Sequence, residues 1–258
     1  MSLVPYKRNI AEEKKILEEL LKEPTGGDPP EGSADFKVEK IVGGYRISGI
    51  QHRKTSGAYD LSAKLLPSKT QEQHAKHAAK AKPDQYRTGS APLYHAIFKT
   101  LYKNKDGKYK DVIQEIRVFL KKTFENTWVN TLSKTTYNPA GQKDRVLHDV
   151  GQKEYPVDED ITGPEGYITQ AQTQASNACK ALLDDNNLQE INKVYKWVTD
   201  KDTYLWRLTQ KPESPQDRVV ALGVNDYDDF SINADDGIND DGPALGVRRA
   251  KNFAGNEG

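Results

Sequence analysis

The stretch Gly223–Gly242 reads GVNDYDDFSINADDGINDDG and runs directly into Pro243–Ala250, PALGVRRA. Seven Asp and three Asn, with Tyr227 and Ser231, crowd its twenty positions, so a dense polar surface stands against an apolar, strand-like anchor. Between Gln216 and Lys251, thirty-four residues pass without a Lys, Glu, Gln, Met or Trp. Those five types make up 61 of the 258 residues, so about eight are expected there by proportion. The omission has a genetic order. An asparagine codon, AAC or AAT, whose adenines are replaced can become Asp, Tyr, His, Ser, Ile or Gly, among others. It can never become one of the five missing types or a stop. Reversing such replacements leaves a loop that is mostly Asn.

Three readings of this run compete. As a Gly/Asn/Asp-rich segment it is a solvated loop, because Asn and Asp bond their own backbone in turns and tolerate left-handed conformations. As a cluster of hard oxygen donors it suits calcium, but an EF-hand needs Gly sixth after an acidic start. Counting back from Gly237 or Gly242 puts Ile232 or Gly237 in first place, so that motif fails. As an adenine-mutagenised loop it is a recognition surface.

On the third reading the chain resembles a known family, the variable proteins of diversity-generating retroelements, of bacterial or of archaeal and viral type. The resemblance rests on the Asn-derived run Asn225–Asp241 and on the closing Pro243-Ala244-Leu245-Gly246-Val247-Arg248, which is similar to the Gly-(Phe or Val)-Arg ending of that family's C-type-lectin-like fold. Upstream, Tyr204-Leu205-Trp206-Arg207-Leu208 is similar to the apolar-aromatic strand that precedes the variable part. It covers roughly the last sixty residues. The resemblance implies a variable loop over 217–250 that binds ligand through Asn225, Asp226, Tyr227, Asp228, Asp229, Ser231, Asn233, Asp235, Asp236, Asn239, Asp240 and Asp241. Trp206, Leu208, Val219, Val220, Leu245 and Val247 then form the rigid support beneath. The implied partner is an unidentified protein or surface ligand, met on a virus particle or cell surface, with no catalytic residue, cofactor or metal. Formylglycine-generating enzymes share the fold, but their chemistry needs a pair of reactive cysteines and this chain has Cys179 alone.

Composition bounds the alternatives. Lys plus Arg equals Asp plus Glu at 38 each, so no global charge argues for nucleic acid or an acidic membrane. Residues 99–122 carry eight basic against three acidic side chains, yet Lys on the outer face of an amphipathic helix is ordinary. One cysteine excludes an internal disulfide or a multi-cysteine zinc site. No run approaches the ~20 apolar residues of a membrane span, and the start lacks an apolar signal core, so a soluble protein is expected.

Along the chain, Ile10, Ile16, Leu17, Leu20 and Leu21 recur at helical spacing until Pro24 and Gly26-Gly27 end the run. This helix and the linker at 24–34 form a first unit, 1–34, ahead of a binding domain over 35–258. Pairing of the helix with a second copy and simple packing both fit its pattern. Phe36, Val38, Ile41, Val42, Tyr45 and Ile47 read as two short strands around Gly43-Gly44. Residues 68–88 read as an exposed helix or a loop, with His74 and His77 a solvent-facing pair. Helical periods appear at 92–103, 110–122 and 188–199, the first two joined across Asn104–Lys108. Strands are expected at 203–208, 217–224 and 243–250.

The class is therefore α+β: helices first, then a C-type-lectin-like part with short strands and long loops. The function expected is ligand binding by a diversified display protein. One alternative is a metal-dependent hydrolase using loop carboxylates with His148. Another is a non-catalytic virion or scaffold component. No Gly-x-Ser-x-Gly elbow, phosphate loop or HExxH supports the hydrolase, and adjacent His148-Asp149 seldom aim at one point.

Overall fold

Val38 paired opposite Ile47, with both buried, seats a hairpin first, β1 (Val38–Ile41) and β2 (Gly44–His52), across Gly43 at φ +80°. The computed structural model describes residues 36–170 and 175–250. The helix expected around Ile10–Leu21 and the linker at 24–34 lie outside them. Next come β3 (Thr55–Lys69), α1 (Gln71–Lys80), β4 (Arg87–Thr88), α2 (Ala91–Lys103), α3 (Lys110–Asn126), β5 (Val129–Tyr137), β6 (Arg145–His148), β7 (Tyr155–Asp158) and β8 (Gly166–Tyr167). The chain closes with α4 (Ala175–Leu183), α5 (Leu188–Thr199), β9 (Thr203–Trp206), β10 (Gln216–Val224), β11 (Phe230–Gly237) and β12 (Gly242–Arg249).

The strands form two sheets, ordered β1-β2-β3-β12-β4 and β7-β6-β5-β10-β11-β9-β8, and the architecture is mixed α+β. β11 and β9 pair in parallel, whereas β12 returns antiparallel onto β3 with Leu245 opposite Leu65 and Val247 opposite Leu61. None of the described helices is long and apolar enough to cross a membrane.

Apolar stripes at the 3.6-residue period fix how the helices dock. Ile97, Phe98 and Leu101 of α2, Ile116, Leu120 and Phe124 of α3, and Ile191, Val194 and Tyr195 of α5 are all buried in one core with Leu222, Phe230 and Ile232. Phe98 meets Phe124 edge-on at 5.9 Å and Tyr195 at 6.2 Å, while Tyr195 stacks on Phe230 at 4.4 Å. Such pairs add to the area term.

The His74 expectation is corrected. α1 forms under a Thr70/Gln73 capping box, but its Gln71, His74, Ala75 and Ala78 are buried. His74 lies 2.8 Å from the Gly242 carbonyl through Nε2 and 2.9 Å from Thr88 Oγ1 through Nδ1. It is a buried tie to the start of β12, and His77 is only half-buried. Ala and His carry too little apolar signal for that face to be read as core.

Candidate functional site

A single side chain organises the β10–β11 connection. Asn225 Oδ1 accepts from the amides of Tyr227 and Asp229, both at 3.0 Å, and Nδ2 donates to Ser231 Oγ at 3.1 Å. Backbone bonds from Asn225 N to Asp229 O and from Asp228 N to Asn225 O complete the turn. Asp228 takes φ +68°, which Asp tolerates better than most L-residues. Lys201 pairs with Asp228, and the Tyr167 hydroxyl donates to Asp229 Oδ1 at 3.0 Å. That bond holds the Tyr167 phenol above its usual pKa. The turn is braced by the Asn225 side chain, by its own backbone bonds, and from outside by Lys201 and Tyr167.

Beside it lies a shallow cleft of about 240 Å³ lined by Trp128, Trp206, Asn225, Asp226, Tyr227 and Asn233. Alternation along β9 buries Thr203 and Leu205 and turns Tyr204 and Trp206 outward, their rings 5.2 Å apart. Tyr167 on β8 extends the row, 5.4 Å edge-on from Tyr204. Trp128 lies over Gly223, where an added Cβ would stand 3.0 Å from the indole and press the ring outward by a few tenths of an ångström. Tyr227 projects with 77% of its surface exposed. The expected support layer is thus corrected in part. Val219, Val220, Leu245 and Val247 are buried, but Trp206 and Leu208 are half-buried, and Trp206 belongs to the surface.

The twelve expected ligand-binding residues do not form one loop. An eight-residue strand, β11, runs through them and separates two turns by roughly 25 Å at ~3.3 Å per residue. Asn225, Asp226, Tyr227, Asp228 and Asp229 occupy the first turn, and Asn239, Asp240 and Asp241 the second. Between them Asn233 and Asp235 face outward and half-buried, Asp235 held by Arg218 Nε at 2.7 Å. Ser231 is fully buried under Asn225, so it cannot contact a ligand directly. At the end of β11, burial, then the nearby Asp240 charge, raises the pKa of Asp236. Trp128, Tyr167 and Tyr204 fall outside the twelve expected site residues; the period-two alternation of 203–206 is the sequence signal for Tyr204.

His148 is held elsewhere, on β6. Its Nδ1 lies 2.7 Å from Ser133 Oγ and its Nε2 2.8 Å from the Ala181 carbonyl, so both ring nitrogens are taken. Ser133 Oγ also accepts from Ala91 N at 3.0 Å, which makes this buried Ser–His pair a brace between β5, β6 and the helices. Cys179 is buried in α4, and burial pushes its thiol up to about 12. Among the described residues no three His, Cys, Asp or Glu side chains converge as a metal site would require. In comparisons with known proteins, no family model, no curated protein and no solved structure matches this chain.

Proposed function

We propose that this chain is a recognition protein that binds its ligand without bond chemistry, through the β10–β11 turn and the aromatic row beside it. The observation that carries the reading is Tyr227, a large exposed ring on an internally braced turn, next to a cleft walled by Trp128 and Trp206. Aromatic side chains provide contact area at low entropy cost and Asn/Asp groups provide adaptable hydrogen bonds, the division of labour found in antibody loops. The cleft is shallow and faces solvent, unlike the deep pocket with converging titratable groups that an enzyme uses.

The diversified-surface origin is part of the same proposal. Its support is the residue-type omission over 217–250, together with the fact that the exposed Asp226, Tyr227 and Asp228 all belong to the set reachable from Asn codons. The C-type-lectin-like assignment draws on the same resemblance: Tyr204–Trp206 and Pro243–Arg248, its two framework segments, are strands on either side of β11 in chain order, with helices preceding them. The nucleotide sequence of the locus tests the idea. A nearby second copy of the 217–250 coding segment, differing from it only at adenines, is expected; a locus without such a copy removes the diversified reading.

A further inference from the structure

A second, larger cleft of about 550 Å³ opens among the β2–β3 turn, the end of β12, the start of α2 and the segment after Asp149. It shares no residue with the aromatic patch. Six cationic side chains line it, Arg53, Lys54, Arg87, Lys153, Arg248 and Arg249, with Asp149 the one acid among its lining residues. Arg53 is engaged by Asp149 at 2.8 Å and by the Tyr155 ring, and Arg248 by Asp60 at 2.9 Å. Lys54, Arg87, Lys153 and Arg249 form no ion pair with any described residue.

Strand register explains the convergence. Arg249 stands opposite Tyr59 across β12 and β3, and Arg87 stands opposite Val247 across β12 and β4. Val247 and Arg249 are two residues apart and share a face, so both guanidinium groups rise from the same side of the sheet, where Val247 is buried. Thr88, Gly89 and Leu93 bring the start of α2 to the wall, adding the positive end of a helix dipole. His52 completes the wall beside Arg53. His52 lines the cleft at 9% exposure, and its buried Nε2 has no hydrogen-bond partner. Burial chiefly, with the Arg53 charge and against that of Asp149, keeps this imidazole below its ordinary pKa and hence neutral near pH 7.

Unpaired like charges in a concave site repel one another and raise the local potential for anions. Guanidinium groups match phosphate oxygens in a two-point fork. The volume lies within the range of small-molecule sites, and Tyr59, Leu93 and Val247 supply an apolar wall for a ligand larger than the bare anion. We propose that this cleft binds a small phosphate ligand, with the phosphate held by Arg87 and Arg249 and with His52 in the wall behind them. The proposal is independent of the recognition surface on β10–β11.

Titration calorimetry at ~150 mM salt, with adenosine diphosphate and separately with inorganic pyrophosphate, tests it. Single-site, saturable binding is expected, weakened about tenfold or more when Arg87→Gln and Arg249→Gln are combined. Lys122→Gln, on an exposed position of α3, should leave binding unchanged. Tighter binding of the nucleotide assigns the site to a phosphate ester and equal binding assigns it to the free anion; both support the proposal. Absence of saturable binding with either probe overturns it, as does binding that survives the double exchange or falls equally with Lys122→Gln. If circular dichroism shows the double variant misfolded, Lys54→Gln with Lys153→Gln, both exposed, takes its place under the same criterion. On the unaltered protein, the His52 ring resonances must shift with added probe and their titration midpoint must rise; unmoved His52 signals also overturn the assignment.

Discussion

Burial drives the His148 imidazole down to a pKa of about 4, although the bond to the Ala181 carbonyl works in the opposite direction. The folded state therefore holds this ring neutral, whereas the unfolded chain protonates it near its ordinary 6.5. Between those values the unfolded state binds more protons, so this contribution is complete above pH 6.5 and is lost as the pH falls toward 4. The shift corresponds to about 3 kcal/mol. Urea unfolding at pH 7.5, 5.5 and 4.5 should show stability falling with acidification, and His148→Gln should flatten part of that slope. An unchanged slope in the variant would mean that other groups, such as the likewise depressed His74 and His95, carry it all. The same residue shows where sequence reading stops. Chain adjacency argues against a His148-Asp149 general-base pair but says nothing of the ring's actual partners, Ser133 and Ala181, which come from β5 and α4.

At the scale of the element, β11 and the turn that leads into it have opposite expected tolerance. Asp226→Ser, Tyr227→Ala and Asp228→Ser change exposed turn positions and should each shift stability by no more than about 0.5–1 kcal/mol, the upper value allowing for the Lys201 pair. Ile232→Ala opens the fully buried face and should cost about 2–5 kcal/mol. Asn225→Ala should fall between them at about 1–3 kcal/mol, since two turn amides and the buried Ser231 hydroxyl lose their partner. Thermal melts of the five variants give the order directly; an Asn225→Ala melt equal to wild type would show that the turn does not depend on that side chain. Apolar residues at Phe230, Ile232 and Ala234 are the sequence trace of this strand. They are hard to see among seven Asp, because a period-two pattern only three apolar residues long resembles a polar loop with scattered hydrophobes.

At the scale of the whole molecule, β12 is held in place by side chains from distant segments as well as by its ladders. The Tyr94 hydroxyl accepts from Gly89 N at 2.8 Å and donates to the Leu245 carbonyl at 2.6 Å, while His74 meets the Gly242 carbonyl. Tyr94→Phe leaves both backbone groups buried without that partner and should destabilise by about 1–3 kcal/mol, seen as a lower urea midpoint with an unchanged m-value. A changed m-value would instead indicate that the seam opens before the rest. The sequence by itself determined the α+β class, though not its order, since β1–β3 precede α1; it placed helices at 92–103, 110–122 and 188–199, the second one turn short of Asn126, and strands at 203–208, 217–224 and 243–250, the first of them too long by two residues. These are local properties, written in the 3.6- and two-residue periods of neighbouring side chains. Only the tertiary structure decided that β11 divides the Asp-rich run into two separate turns and that Trp206 lies outward beside Trp128. It alone buried His74 and gathered Arg87 and Arg249 at one cleft. Each of these depends on which strand pairs with which, and strand partners lie tens to hundreds of residues apart, where chain periodicity carries no information about who stands opposite whom.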